Sequence, residues 1–221
     1  METEEITSKI KNTQKENIIM SKRVYISADY SEQDGDREVI NVLHSWASDN
    51  THEVDFVDTA EVVSGSVVRD PDCRPCDLKE EFNRQIKASS AVIFVIGDKT
   101  GARTAGSTCL RQENEYCTCT PYKQNRNGQT FCKIYGPLFT PGPNEDAGKV
   151  NEWSYLKHEF VQAERKGKDI IIVYNSLIKR PSWLPSYMSA YEEKAEPFWV
   201  LNAYGEKRGN YQLIKRLLGY E

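Results

Sequence analysis

The chain has 221 residues, enough for one large domain or for one domain with an insertion. Hydrophobic residues make up 38% and charged residues 28%, which supports a buried core and excludes global disorder. The formal net charge is −4, so no basic excess exists to hold nucleic acid or an anionic membrane.

Residues 1–20 are polar and charged, with Ile10, Ile18 and Ile19 scattered among them, and read as a flexible tail ahead of a single domain over 21–221. This N-terminus lacks the apolar core of a secretory signal. The longest apolar run, Ala91 to Ile96, falls far short of the roughly 20 residues of a spanning helix. The expectation is a cytoplasmic protein whose six cysteines are reduced thiols.

Arg23 to Ala28 is β-branched and aromatic and predicts the first strand. After the turn at Asp34-Gly35-Asp36, Val39, Val42, Leu43 and Trp46 recur at helical spacing. Val54 to Val57 predicts a short second strand, and 58–76 an irregular loop with Gly65, Pro71 and Pro75. The next helix is expected to start at Asp77, with Glu80 three positions on as in a capping box, and Leu78, Phe82 and Ile86 as its apolar stripe. The continuous run AVIFVIG (91–97) marks a central parallel strand covered on both faces.

Residues 98–150 form a long Gly- and Pro-rich insertion with four of the six cysteines. Asn125 to Gly128, between 116–120 and 130–135, predicts a β-hairpin there. WSYLKHEFVQAERKGK (153–168) predicts a helix with Leu156, Phe160 and Ala163 toward the core and Gly167 near its end. DIIIVYN (169–175) predicts a buried strand, 176–197 a Pro- and Tyr-rich connection, and PFWVLNA (197–203) the last strand. The closing helix would face the core with Tyr211, Ile214, Leu217 and Leu218. Strands alternating with helices imply right-handed crossovers and a parallel sheet, here five strands in the flavodoxin-like order 2-1-3-4-5.

In such a sheet the chain reverses direction between strands 1 and 3, and ligands bind outside the carboxyl ends of the strands at that point. The loop after strand 1 carries Ser27, Asp29, Tyr30 and Ser31. Tyr155 and Glu159 lie four apart, on one face of the helix at 153–168. Topology alone thus brings Ser27, Asp29 and Glu159 to one crevice.

RVYISADYSEQDGDRE resembles the opening of a TIR domain, and WSYLKHEF resembles the TIR helix that carries the catalytic glutamate. KGKDIIIVYN fits the next strand of that family, and the nearest subgroup is the TIR-like subunit of Thoeris anti-phage systems. The resemblance covers 22–97 and 151–203 and leaves out 98–150. Where the family usually has Trp four residues before the glutamate, this chain has Tyr155, with Trp153 two residues further back. Ala28-Asp29 stand where a typical member has an aromatic residue.

The resemblance implies an enzyme that consumes NAD as substrate, without a further cofactor or metal. It would cleave the nicotinamide–ribose bond and release ADP-ribose or a cyclic isomer. It implies Glu159 as the catalytic carboxylate, with Ser27, Ala28, Asp29 and Tyr155 at the substrate. Homo-oligomers through TIR–TIR contacts and an effector protein answering to the nucleotide product are the partners it implies, and an assembly module without catalysis is its alternative outcome. Without the resemblance, Glu159 reads as a solvated helix glutamate, and Ser27 and Asp29 as turn residues.

Other constellations are weaker. Cys73-Arg-Pro-Cys76 precedes a helix but follows the second strand, unlike thioredoxin-like redox motifs. Cys109, Cys117, Cys119 and Cys132 could place four sulfurs around a hairpin zinc, yet their spacing is irregular and no histidine joins them, so unligated thiols are expected. GDKTG (97–101) lacks phosphate-loop spacing. His44 and His158 lie on helices without a ligand-spaced partner, which predicts core or surface roles.

Overall fold

A computed structural model describes residues 22–29, 36–47, 54–59, 74–105, 123–124, 130–131 and 148–220. The elements are β1 (Lys22–Ala28), α1 (Asp36–Ala47), β2 (Val54–Asp58), α2 (Arg74–Ala88) and β3 (Ala91–Ile96), then the short β4 (Lys123–Gln124) and β5 (Thr130–Phe131). They continue with α3 (Tyr155–Arg165), β6 (Asp169–Tyr174), β7 (Glu196–Pro197), β8 (Trp199–Leu201), β9 (Lys207–Gly209) and α4 (Tyr211–Leu217).

Five strands pair in the order β2-β1-β3-β6-β7, all parallel. Counting only strands of this sheet, that is the predicted flavodoxin-like order 2-1-3-4-5 of an α/β fold. Side chains of successive strand residues alternate between faces and so build two cores. Val24, Ile26, Ala28, Ile93, Val95 and Val173 pack with α1 and α4 on one face. Tyr25, Val92, Phe94, Ile96 and Ile172 pack with Leu78, Phe82 and Ile86 of α2 and with Leu156, Phe160 and Ala163 of α3 on the other. Every residue of β3 is buried, as its unbroken apolar run predicts.

The helices carry their own stop and start signals. Ser154 caps α3 by accepting a bond from the Lys157 N–H at 3.2 Å. The far end closes on Gly167 (φ +59°), with Gly167 N donating to Glu164 O (2.9 Å) and Lys168 N to Ala163 O (3.0 Å). This paired-bond ending needs a left-handed residue, and glycine takes that conformation without a Cβ penalty.

Some details differ from expectation. α2 starts at Arg74, not Asp77, because Pro75 sits in the first turn, where its missing N–H costs nothing and its fixed φ suits the helix. The last strand is split: only Glu196 and Pro197 pair with β6, while Trp199–Leu201 turns away and pairs antiparallel with β9. Asn202 drives that turn, its Oδ1 accepting from the N–H groups of Tyr204 and Glu206, both at 2.9 Å. In α4, Leu213, Ile214 and Leu218 are buried, whereas Leu217 is exposed. The hairpin of the insertion pairs Lys123 with Phe131 and Gln124 with Thr130, apart from the main sheet. These pairs lie on either side of the predicted turn at 125–128; residues 116–120, Cys73, Cys109, Cys117, Cys119, Cys132 and the 1–20 tail lie outside the described residues.

Candidate functional site

At the carboxyl edge of the sheet, β1 and β2 deliver three hydroxyl groups to one carboxylate. Tyr25 and Ser27 stand two apart on β1 and so share the face covered by α2 and α3. Thr59 directly follows β2. Glu159 faces them from α3, held by the cap at Ser154 and by Leu156, Phe160 and Ala163 in the core.

The network is fully formed. Ser27 Oγ donates to Glu159 Oε2. Tyr25 OH donates to Glu159 Oε1 at 2.5 Å. Thr59 Oγ1 lies 3.2 Å from the same oxygen, 3.1 Å from the Ile26 carbonyl and 3.2 Å from the Tyr25 hydroxyl. Tyr25, Ser27, Thr59 and Glu159 are all buried, and Glu159 is only 1% exposed. The expected partly solvated helix glutamate is therefore a buried one, because the rows of α3 that face the sheet include position 159 between Leu156 and Phe160.

Burial sets the electrostatics. Loss of solvent lifts the Glu159 carboxyl from 4.5 to about 7, against the hydrogen bonds from Ser27, Tyr25 and Thr59, which favour the charged form. The charge of Asp29 adds to the rise. Burial, and then the Glu159 charge, push the Tyr25 hydroxyl well above its usual range, so it remains a donor. Tyr187, in the 3₁₀ segment Ser186–Lys194, is raised by burial and by Asp29, while a bond with Ser154 opposes the shift. A carboxylate with this environment changes charge near neutral pH, within a frame of donors that fixes its position.

The other predicted residues divide. Asp29 sits at the edge of this cluster, with Arg103 Nε 3.6 Å from its Oδ2. Ala28 is buried in the opposite core with Val24 and Ile26, so strand alternation takes its methyl away from Glu159. The Tyr155 ring packs edge-on against Phe82 (5.5 Å, 78°), which places it between α3 and α2. Trp153 lies beside His158, with ring centroids 6.5 Å apart, and the His158 Nε2 pairs with Asn83 Oδ1 at 3.0 Å in the interior. His44 pairs with Asp58 at 2.7 Å.

Tyr25, Thr59, Arg103 and Tyr187 were not singled out by the sequence. Tyr25 is legible in principle, since alternation puts it on the Ser27 face; Thr59 is a helical residue directly after β2, Arg103 sits in a loop and Tyr187 in a 3₁₀ segment, and only the fold decides that they meet Glu159 or Asp29. A second polar knot lies on the other face of the same edge. There Asn175 Nδ2 donates to buried Asp36 (3.0 Å) and Trp199 Nε1 donates to Asn175 Oδ1 (2.6 Å). A Cβ on Gly97 would come within 2.9 Å of Asp36 Oδ1, which explains glycine at the end of β3 and gives GDKTG a packing role. Gly97 N also donates to Thr100 Oγ1 at 2.9 Å.

No helix among the described residues is long and apolar enough to cross a membrane. In sequence comparison no protein-family model matches the chain, and no curated protein matches it.

Proposed function

We propose that the chain is a TIR-like, NAD-consuming enzyme, a hydrolase or an ADP-ribose cyclase, whose nucleotide product acts as a signal to an effector in anti-phage defence. The observation that carries this reading is Glu159, a carboxylate at the switch-point edge held by Tyr25, Ser27 and Thr59. Nicotinamide leaves NAD as a neutral base from a cationic pyridinium, so no strong general acid is needed. The transition state resembles an oxocarbenium ion, and an ionised carboxylate beside the ribose stabilises it. Glu159 would supply that charge and Asp29 would stand at the mouth. Where water is kept out, a base nitrogen of the substrate attacks the ribose and closes the ring.

This chemistry needs the charged form of Glu159, so activity should rise with pH through about 7. The test is incubation of purified protein with NAD and product analysis by mass spectrometry. Glu159→Gln keeps the shape and removes the charge, and should lose on the order of 10²–10³ in rate. Glu164→Gln, exposed on the same helix, should keep the parent's activity. Equal turnover by both variants would remove Glu159 from the mechanism.

One observation favours the second reading, an assembly module. Leu177, Ile178 and Leu201 are 45%, 55% and 59% exposed, and a Trp199 N to Ser176 O bond brings their segments together. A parent that leaves NAD untouched with its activating signal supplied would favour that account.

A further inference from the structure

The two oxygens of Glu159 are held differently. Oε2 receives Ser27, which stands one residue before the end of β1 and beside the Asp29–Arg103 pair at the edge. Oε1 receives Tyr25, which starts two residues, roughly 6–7 Å, deeper along the strand and reaches upward with its ring. Thr59 also approaches Oε1, but its single proton is divided between that oxygen and the Ile26 carbonyl. Tyr25, at 2.5 Å against 3.2 Å for Thr59, is thus the shorter donor to Oε1. Its ring is immobilised in the core of the α2–α3 face, so the hydroxyl has no freedom to leave.

We propose that Tyr25 is a positioning residue of this site: its hydroxyl pins Oε1 and keeps Glu159 charged and oriented. The inference rests on the NAD-consuming reading for its catalytic consequence, while the Tyr25–Glu159 coupling itself is measurable without turnover.

Other charged groups surround the pair. Asp29 follows β1 and meets Arg103; Asp58 ends β2 and meets His44. Lys79 and Glu80 of α2 are buried, with Lys79 Nζ donating to the Trp153 carbonyl at 3.0 Å. On α3 His158 faces Asn83, and Tyr187 approaches from the 3₁₀ segment. Tyr25→Phe leaves all of these in place and deletes one donor, so the charged carboxylate alone loses support.

The experiment measures the pH profile of NAD consumption in the parent and in Tyr25→Phe. Alongside it, infrared titration follows the protonated carboxyl band of Glu159, assigned by its loss in Glu159→Gln. Deleting a hydrogen bond to a charged group should move the acid limb and the infrared midpoint up together by about one pH unit. From a midpoint of about 7, that is roughly a five-fold loss of rate at pH 7, recovered at high pH. Tyr174→Phe is the control, since its buried hydroxyl has no hydrogen-bond partner among the described residues, and it should leave both curves in place. Site-specific 3-fluorotyrosine at position 25 keeps the ring and strengthens the donor, so it should move both midpoints down; it also serves if Tyr25→Phe fails to fold. Unmoved midpoints, or a loss of rate that high pH does not restore, would overturn the proposal. If the parent does not consume NAD, the functional reading fails by itself. The infrared shift then still decides whether Tyr25 holds the charge of Glu159.

Discussion

Glu159→Gln should change how stability depends on pH, and the size follows from burial. The carboxyl is lifted from 4.5 to about 7 in the folded chain. Below pH 4.5 both folded and unfolded states hold the proton, and the parent keeps its full stability. Between 4.5 and about 7 the unfolded chain releases the proton that the folded chain retains, so the parent loses stability as pH rises. Above pH 7 the loss is complete, at about 3 kcal/mol for a shift of this size, or roughly 6–12 °C in melting temperature for a chain of this length. Glutamine stays neutral throughout. Its carbonyl accepts from Tyr25, and its amide donates to Ser27 once that hydroxyl turns. The melting temperature of Glu159→Gln minus that of the parent should therefore climb by about this amount between pH 4.5 and 8. Thermal melts at constant ionic strength read it, with exposed Glu164→Gln as the flat control. A difference that stays level or falls across that range would refute the argument, because it would mean Glu159 ionises in the fold as easily as in water.

Two further substitutions test the frame that carries Glu159. Ser154→Ala removes the α3 cap and the hydroxyl that meets Tyr187, and should cost about 1 kcal/mol or slightly more in urea unfolding; an unchanged midpoint would show that the core alone fixes the helix. Gly167→Ala forces a Cβ into φ +59° with nothing within 4 Å, so its cost of about 1 kcal/mol is purely conformational. A stabilised variant in the same assay would contradict the left-handed ending of α3.

The parallel sheet was written plainly in the chain. Unbroken apolar runs such as Ala91–Ile96 suit only a strand covered on both sides, and the alternation of such runs with amphipathic stretches leaves few topologies. That pattern also placed Ser27, Asp29 and Glu159 at one edge. Local chemistry also set Gly167 near the end of α3, because helix endings depend on neighbours a few residues away. The tertiary structure decided what local pattern does not encode. Whether Glu159 is solvated or buried depends on how α3 lies on β1 and β2, and a glutamate at helical spacing has the same sequence in either case. Thr59, 100 residues from Glu159, joins it only when strand order is set. The fate of Trp199–Leu201 turned on bonds at Asn202 that compete with the sheet edge. Short-range signals specify elements; the charge state and partners of a buried side chain are set by contacts across the fold, where desolvation outweighs any local preference.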